Sequence, residues 1–255
     1  MGFVRSANEP NVYQKCQEDE DTLLLCLHVD DIIYMGSSEE MLREFKDTML
    51  KTFEMTDLGP MRYFLGLEVK QLNGSVFVSQ RKYAEDLLSK TGMQHCKPVS
   101  TLMNSNEWFH LQDSLGKAEP SKYRKIVGGL LYLTHTRPDL MYAVSVVSRF
   151  MQAPSMHHLG AVKRILRYVS GIVSYGIQYM KNEEFKLMGY SDSDWGGCQN
   201  DRKSTTRWIF SLGSGAVAWC SKKQSITALS STEAEYISIT SASCEAVCCV
   251  VSWKT

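Results

Sequence analysis

Two stretches of this sequence set carboxylates where a folded core does not ordinarily tolerate them. In His28-Val29-Asp30-Asp31, two aspartates stand side by side between the short apolar runs 22–27 and 32–36. Adjacent like charges repel and burial disfavours both, unless a cation compensates. A divalent metal would do so, and two such ions about 3.5–4 Å apart hold the attacking and leaving oxygens of a phosphoryl transfer in line. By itself, Asp-Asp on a tight turn is more often plain solvated turn chemistry. The second stretch is Tyr190-Ser191-Asp192-Ser193-Asp194-Trp195, where a strand-like run (Phe185, Leu187, Met188, Tyr190) delivers a carboxylate near its end. Further on, Ser231-Thr232-Glu233-Ala234-Glu235-Tyr236 opens a helix. In one reading Asp192 on the strand and Glu235 on the packed helix converge on Mg²⁺. In the other, Thr232 and Glu235 form a capping box and Asp192 points to water.

The elements that must carry these groups follow from hydrophobic spacing. The two apolar runs around Asp30 and Asp31 read as a buried β-hairpin. Ser37-Ser38-Glu39-Glu40 opens an amphipathic helix with Met41, Leu42, Phe45, Met49 and Leu50 on one face, and Asp57-Leu58-Gly59-Pro60 breaks it. Segments 61–69 and 75–79, split by Asn73-Gly74, predict a second hairpin, followed by a helix over 82–90. Residues 93–121 are rich in Ser, Asn, Pro and Gly and read as a partly mobile connector. Three helices should follow, over 122–134, after Arg137-Pro138-Asp139, and over 157–170, the last turning Lys163, Arg164 and Arg167 outward. Strands near 185–191, 207–212 and 215–220 and a helix over 231–247 complete an α/β unit.

Net charge is zero, yet residues 1–60 hold 5 Lys+Arg against 13 Asp+Glu, so the remainder carries the opposite excess. An acidic front and a basic back suit a metal site followed by surfaces that meet phosphate, or simply two solvated faces. The eight cysteines lack zinc spacing and read as buried free thiols of a reducing compartment, cytoplasm or nucleus. No uninterrupted apolar run reaches the roughly 18 residues of a membrane span, so no membrane partner is expected.

In order along the chain, these segments resemble the Pol polyproteins of copia-type LTR retrotransposons, with wording similar to plant elements. The stretch 25–34 resembles the palm motif of reverse transcriptases, usually Tyr-Val-Asp-Asp. Phe53-Glu-Met-Thr-Asp-Leu-Gly-Pro-Met-Arg-Tyr-Phe-Leu-Gly-Leu-Glu68 is similar to the segment that ends in the primer grip, and Tyr132-Leu-Thr-His-Thr-Arg-Pro-Asp139 to the connection region. Gly189-Tyr-Ser-Asp-Ser-Asp-Trp-Gly196, Asp201-Arg-Lys-Ser-Thr205 and Ala228-Leu-Ser-Ser-Thr-Glu-Ala-Glu-Tyr236 resemble ribonuclease H. The resemblance implies an α/β (α+β) fold in three parts. A partial palm and primer grip would span 1–95, a linker and helical connection 96–180, and a truncated ribonuclease H-like domain 181–255. It implies that Asp30 and Asp31 hold catalytic Mg²⁺, with Mn²⁺ as a substitute, and that Tyr63, Leu65 and Gly66 lie in the primer grip. Asp192 and Glu235 would be ribonuclease H carboxylates. Basic residues at 163–167, 202–203 and 222–223, among them Lys163, Arg164, Arg167, Arg202, Lys203 and Lys222, would face an RNA–DNA hybrid or duplex.

Departures from the family pattern shape the functional expectation. The first polymerase aspartate and the fingers precede the residues present, and His28 replaces the usual tyrosine. Arg207 stands where the pattern has glycine and should strain a tight turn. From Cys248 the text diverges, as after a frameshift, and the third ribonuclease H aspartate is missing. The chain is therefore expected to be inactive or very weak in RNA-directed DNA synthesis and hybrid hydrolysis. The rival readings are a non-catalytic nucleic-acid-binding relic and a subunit that borrows missing parts from other Pol fragments.

Overall fold

The computed structural model describes residues 2–16, 21–104, 107–111, 113–181 and 184–253. It is a mixed α+β fold that divides into two compact units, residues 1–61 with 245–255, and residues 62–244. Each unit is built around its own sheet or sheets.

In the first unit, strands β1 (Val4–Arg5), β2 (Val12–Cys16), β3 (Thr22–His28) and β4 (Asp31–Gly36) form an antiparallel sheet in sequence order. Helix α1 (Glu39–Thr52) starts at Ser38, whose hydroxyl accepts from the Met41 amide, and two acidic residues in its first turn favour the helix dipole. It lays Met41 and Phe45 against Leu23 and Leu25 of β3. These four residues are the whole buried core of the unit among the described residues. Leu50, assigned by periodicity to the buried face, is instead 40 % exposed, because it lies in the last turn beyond the sheet.

The second unit holds two sheets and the helical core. Strands β6 (Leu67–Leu72) and β7 (Ser75–Ser79) form the expected hairpin, with Gly74 at a positive φ in the Asn73-Gly74 turn. The strand expected over 61–69 is broken, however, and its start, β5 (Tyr63–Phe64), folds back on β6 to make a meander. Helices α2 (Arg81–Lys90), α3 (Pro120–Leu133), α4 (Met141–Ser148) and α5 (Met156–Gly171) follow. They bury one cluster in which Tyr123, Val127, Leu130, Leu140, Val144, Val162, Ile165, Leu166 and Val169 are fully enclosed. The Tyr123 hydroxyl donates to the Val147 carbonyl at 2.8 Å, and burial pushes its ionisation far above the usual tyrosine range. Strand β8 (Gly176–Met180), not foreseen from the sequence, pairs antiparallel with β7 and closes the sheet begun by β5. The connector between α2 and α3 is tied down: the Arg164 guanidinium donates to Thr101 Oγ1 at 2.6 Å and Arg167 Nε to the Lys97 carbonyl at 2.7 Å.

Strands β9 (Leu187–Ser193), β10 (Thr205–Leu212) and β11 (Gly215–Lys223) form a second antiparallel sheet in the order β11-β10-β9. Helix α6 (Ser231–Trp253) runs on from it. Alternation along the strands assigns the two faces. Ser221 reaches Ser145 of α4 and the Trp219 indole donates to the Thr134 carbonyl at the end of α3, so one face looks at the helical core. Ser191 reaches Ser238, and the Trp208 indole donates to Ser241, so α6 covers the other face.

Two expectations are corrected here. A 21-residue stretch of α6, Ser231–Val251, is long and apolar enough by length and composition to cross a membrane. The uninterrupted-run criterion missed it because serines and threonines punctuate the helix. Cysteine burial was also misjudged: Cys198 is buried, but Cys16, Cys244 and Cys248 are exposed and unbridged.

Candidate functional site

The aspartates at the front of the chain sit on the β3–β4 hairpin. His28 and Asp31 face each other across the strands, leaving Val29 and Asp30 as a two-residue turn. Val29 has a φ of 53° and is 90 % exposed. A β-branched residue rarely adopts left-handed backbone, so the turn is strained, and Asp30 and Asp31 stand beside Val29 as exposed neighbours. Beside them opens a cleft of about 300 Å³ lined by Tyr34, Phe45, Lys46, Met49 and Asp57. Asp57 is already engaged, because Lys46 Nζ lies 2.5 Å from it and holds its carboxyl below the usual range. Burial, reinforced by Asp57, raises the Tyr34 phenol. Two aspartates offer hard oxygen ligands of the kind Mg²⁺ prefers, but among the described residues no three His, Cys, Asp or Glu side chains gather into a metal-binding group.

Leu65 and Gly66 form the turn between β5 and β6, and Tyr63 lies in β5 opposite Glu68. Leu65 has a φ of 46° and Gly66 of 76°, while Tyr63 and Leu65 are 56 % and 51 % exposed. The Tyr132 hydroxyl donates to the Leu65 carbonyl and stands where a Cβ on Gly66 would be, so glycine is required twice at this position. Tyr132 in turn packs on Tyr83, with ring centroids 4.6 Å apart. Its role was not apparent from the sequence, although it opens the motif 132–139.

At the back of the chain, the two carboxylates expected to converge are carried by β9 and α6. Asp192 lies directly opposite Arg207 in the β9–β10 register, on the face toward α4. Arg207 Nη1 is 3.6 Å from Asp192 and Nη2 is 3.3 Å from Asp194, and the guanidinium covers the Tyr142 ring at 4.5 Å. Glu235 belongs to α6, and its carboxylate accepts at 3.3 Å from the amide of Ser193, the residue after Asp192. Glu235 thus reaches the backbone beside Asp192, while the Asp192 carboxylate faces Arg207. The capping alternative fails: the Ser230 hydroxyl accepts from the Glu233 amide at 3.1 Å, and Glu233 reaches back to the Leu229 amide at 2.7 Å. Strain at Arg207 is not found either. It sits in the interior of β10 without positive φ, where an ordinary side chain fits.

The basic residues divide into two groups. Arg164 and Arg167 hold the connector, and Lys203 Nζ donates to the Ser225 carbonyl at 2.6 Å. Lys163, Arg202 and Lys222 are exposed. Asp201 pairs with Lys223 at 2.7 Å. Burial acts to raise its carboxyl, but hydrogen bonds from Cys198, Lys223 and the Lys203 amide outweigh this and lower it to about 2. A carboxyl whose folded value is depressed stabilises the fold above its unfolded value near ~3.9 and loses that contribution as pH falls toward 2. Thermal midpoints followed from pH 7 to pH 2 should therefore drop between about 4 and 2. The drop should be shallower in Lys223→Met, and parallel curves would contradict this account.

An acid-tipped antiparallel hairpin with a helix on its sheet is thus followed by a meander with a two-residue turn. The family model for reverse transcriptase (RNA-dependent DNA polymerase) matches residues 1–105. The chain belongs to the family of retrovirus-related Pol polyproteins of copia-type transposons, represented in plants. It is 42 % identical over 217 residues to an uncharacterized mitochondrial protein of Arabidopsis thaliana, covering 84 % of this chain and 89 % of that one. It is 39 % identical to the Pol polyprotein from transposon RE1 of the same plant, covering 96 % of this chain but 17 % of the polyprotein. Against the Pol polyprotein from transposon TNT 1-94 of Nicotiana tabacum the identity is 35 %, over 93 % of this chain and 18 % of the relative. No solved structure matches the chain.

Proposed function

We propose that this chain is a catalytically silent segment of a transposon Pol polyprotein that retains a duplex-facing surface. The donor set at the hairpin carries the reading. Asp30 and Asp31 would hold Mg²⁺ or Mn²⁺, but among the described residues no third carboxylate joins these two exposed ones, which falls short of what in-line phosphoryl transfer between two ions needs. Residues 181–255 are read as derived from ribonuclease H. A three-stranded antiparallel sheet with helices on both faces supports that descent, and the pairing of Asp192 and Asp194 with Arg207 weighs against hydrolysis there. The unbridged cysteines suit the cytoplasm or nucleus.

Primer extension on an RNA template with Mg²⁺ or Mn²⁺ should give no product. Templated incorporation that disappears in Asp30→Asn would overturn the proposal. Binding to an RNA–DNA hybrid should be weak, independent of sequence and steeply salt-dependent, since each phosphate neutralised contributes about −0.9 to the slope of log K against log salt on a duplex. Changing the exposed Lys163, Arg202 and Lys222 together to Glu should abolish it while leaving the connector tethered. Affinity that is flat with salt, or unchanged in that variant, would refute duplex binding through this surface.

A further inference from the structure

We propose that Arg207 is a built-in counter-cation that stands where a divalent metal would have to enter beside Asp192 and Asp194, making this acidic face metal-independent. The inference concerns charge on one sheet face and holds whatever the ancestry of residues 181–255. Two carboxylates two residues apart would repel each other on a sheet. Here one guanidinium answers both, with Nη1 3.6 Å from Asp192 and Nη2 3.3 Å from Asp194. The cation has a further contact. Its position is set by the β10 register, in which Arg207 lies opposite both Asp192 and Ser221, and its plane covers the Tyr142 ring at 4.5 Å.

The remaining donors are also committed. Asp194 Oδ1 accepts from the Thr205 amide at 2.8 Å and from the Gly197 amide at 3.3 Å, so it closes the turn after β9. Glu235 of α6 is engaged too, accepting from the Ser193 amide at 3.3 Å. A small divalent ion demands several oxygen ligands in near-octahedral order and keeps its waters reluctantly displaced. Arginine is planar, weakly hydrated and able to stack while bridging carboxylates, so it fills the same electrostatic need with no such demand. The residues on this face fit a guanidinium and do not fit a metal.

The test is a Mn²⁺ titration of isotopically labelled protein, reading paramagnetic broadening of the backbone amides of residues 190–195. In the native chain those amides should broaden only at Mn²⁺ concentrations well above those that affect the Asp30–Asp31 hairpin. In Arg207→Met, which keeps an apolar side chain on Tyr142, they should broaden at concentrations at least about tenfold lower, because a positive charge within 4 Å has been removed. Adding Asp192→Asn to that variant should reverse the gain, and Arg207→Lys should behave like the native chain. Equal broadening in the native and Arg207→Met chains would overturn the proposal, as would its absence in a folded Arg207→Met chain. Should Arg207→Met fail to fold, the native titration still decides: broadening at Asp192 alongside the hairpin would refute the proposal, and its delay would uphold it.

Discussion

Asp139→Ala should destabilise the 62–244 unit by about 2 kcal/mol, the scale expected when a buried guanidinium loses its charged partner, discounted because the Asp139 carboxylate is itself 36 % exposed. Arg137 is 4 % exposed. Its Nε and Nη2 donate to the two Asp139 oxygens at 2.9 and 2.7 Å, and Nη1 donates to the Ile172 carbonyl at 3.1 Å. Tyr168 of α5 adds a hydroxyl to Asp139 at 3.1 Å. Arg137-Pro138-Asp139 is thus a clamp that joins the start of α4 to the far end of α5. Without the carboxylate, the guanidinium keeps the Ile172 carbonyl and the Tyr175 ring, 5.6 Å away, but no counter-charge. Urea unfolding of the full chain gives the difference directly, and a loss below about 1 kcal/mol, the scale of an exposed pair, would show the clamp to be ornamental.

Leu130→Ala should cost a similar amount, about 2–5 kcal/mol, from lost transfer energy plus the cavity left behind. Leu130 is fully buried in the cluster formed by α2, α3, α4 and α5, whose rigid neighbours limit collapse into the hole. Leu229, 86 % exposed just before α6, is the control, and its truncation should stay within about 0.5 kcal/mol. Equal effects at the two positions would mean that the helical cluster is not the core that stabilises this unit.

The elements that could be read from the sequence were those with strong local signals. Helical periodicity at 140–151 and 157–170, and Asn73-Gly74 between apolar runs, correspond to α4, α5 and the β6–β7 hairpin. Strand β8 escaped because its five residues acquire meaning only from a partner far earlier in the chain, where Val78 faces Ile177. The period of β9 was visible, but not which side α6 would choose. Small and polar Ser191, Ser238 and Ser241 mark that contact, and serines carry no apolar signature. Arg207 read as a misfit while glycine was the only standard for its position; the acids beside it across the strand supply its reason. The capping residue was misassigned by two positions because Ser230 and Thr232 are both acceptable caps with an acid three residues on.

The late return of β8 to β7 has a topological consequence. The chain leaves the first sheet of its larger unit at Ser79 and re-enters it at Gly176, and everything between is a closed excursion pinned by five consecutive residue pairs. Gly176 sits so close to the Val78 carbonyl that no larger residue fits, which makes that seam specific as well as long-range. A single backbone cut in the connector would therefore leave two pieces that still share a sheet and a helical cluster. Such a chain is suited to fragment complementation, in which the halves, made separately, find each other and restore one fold.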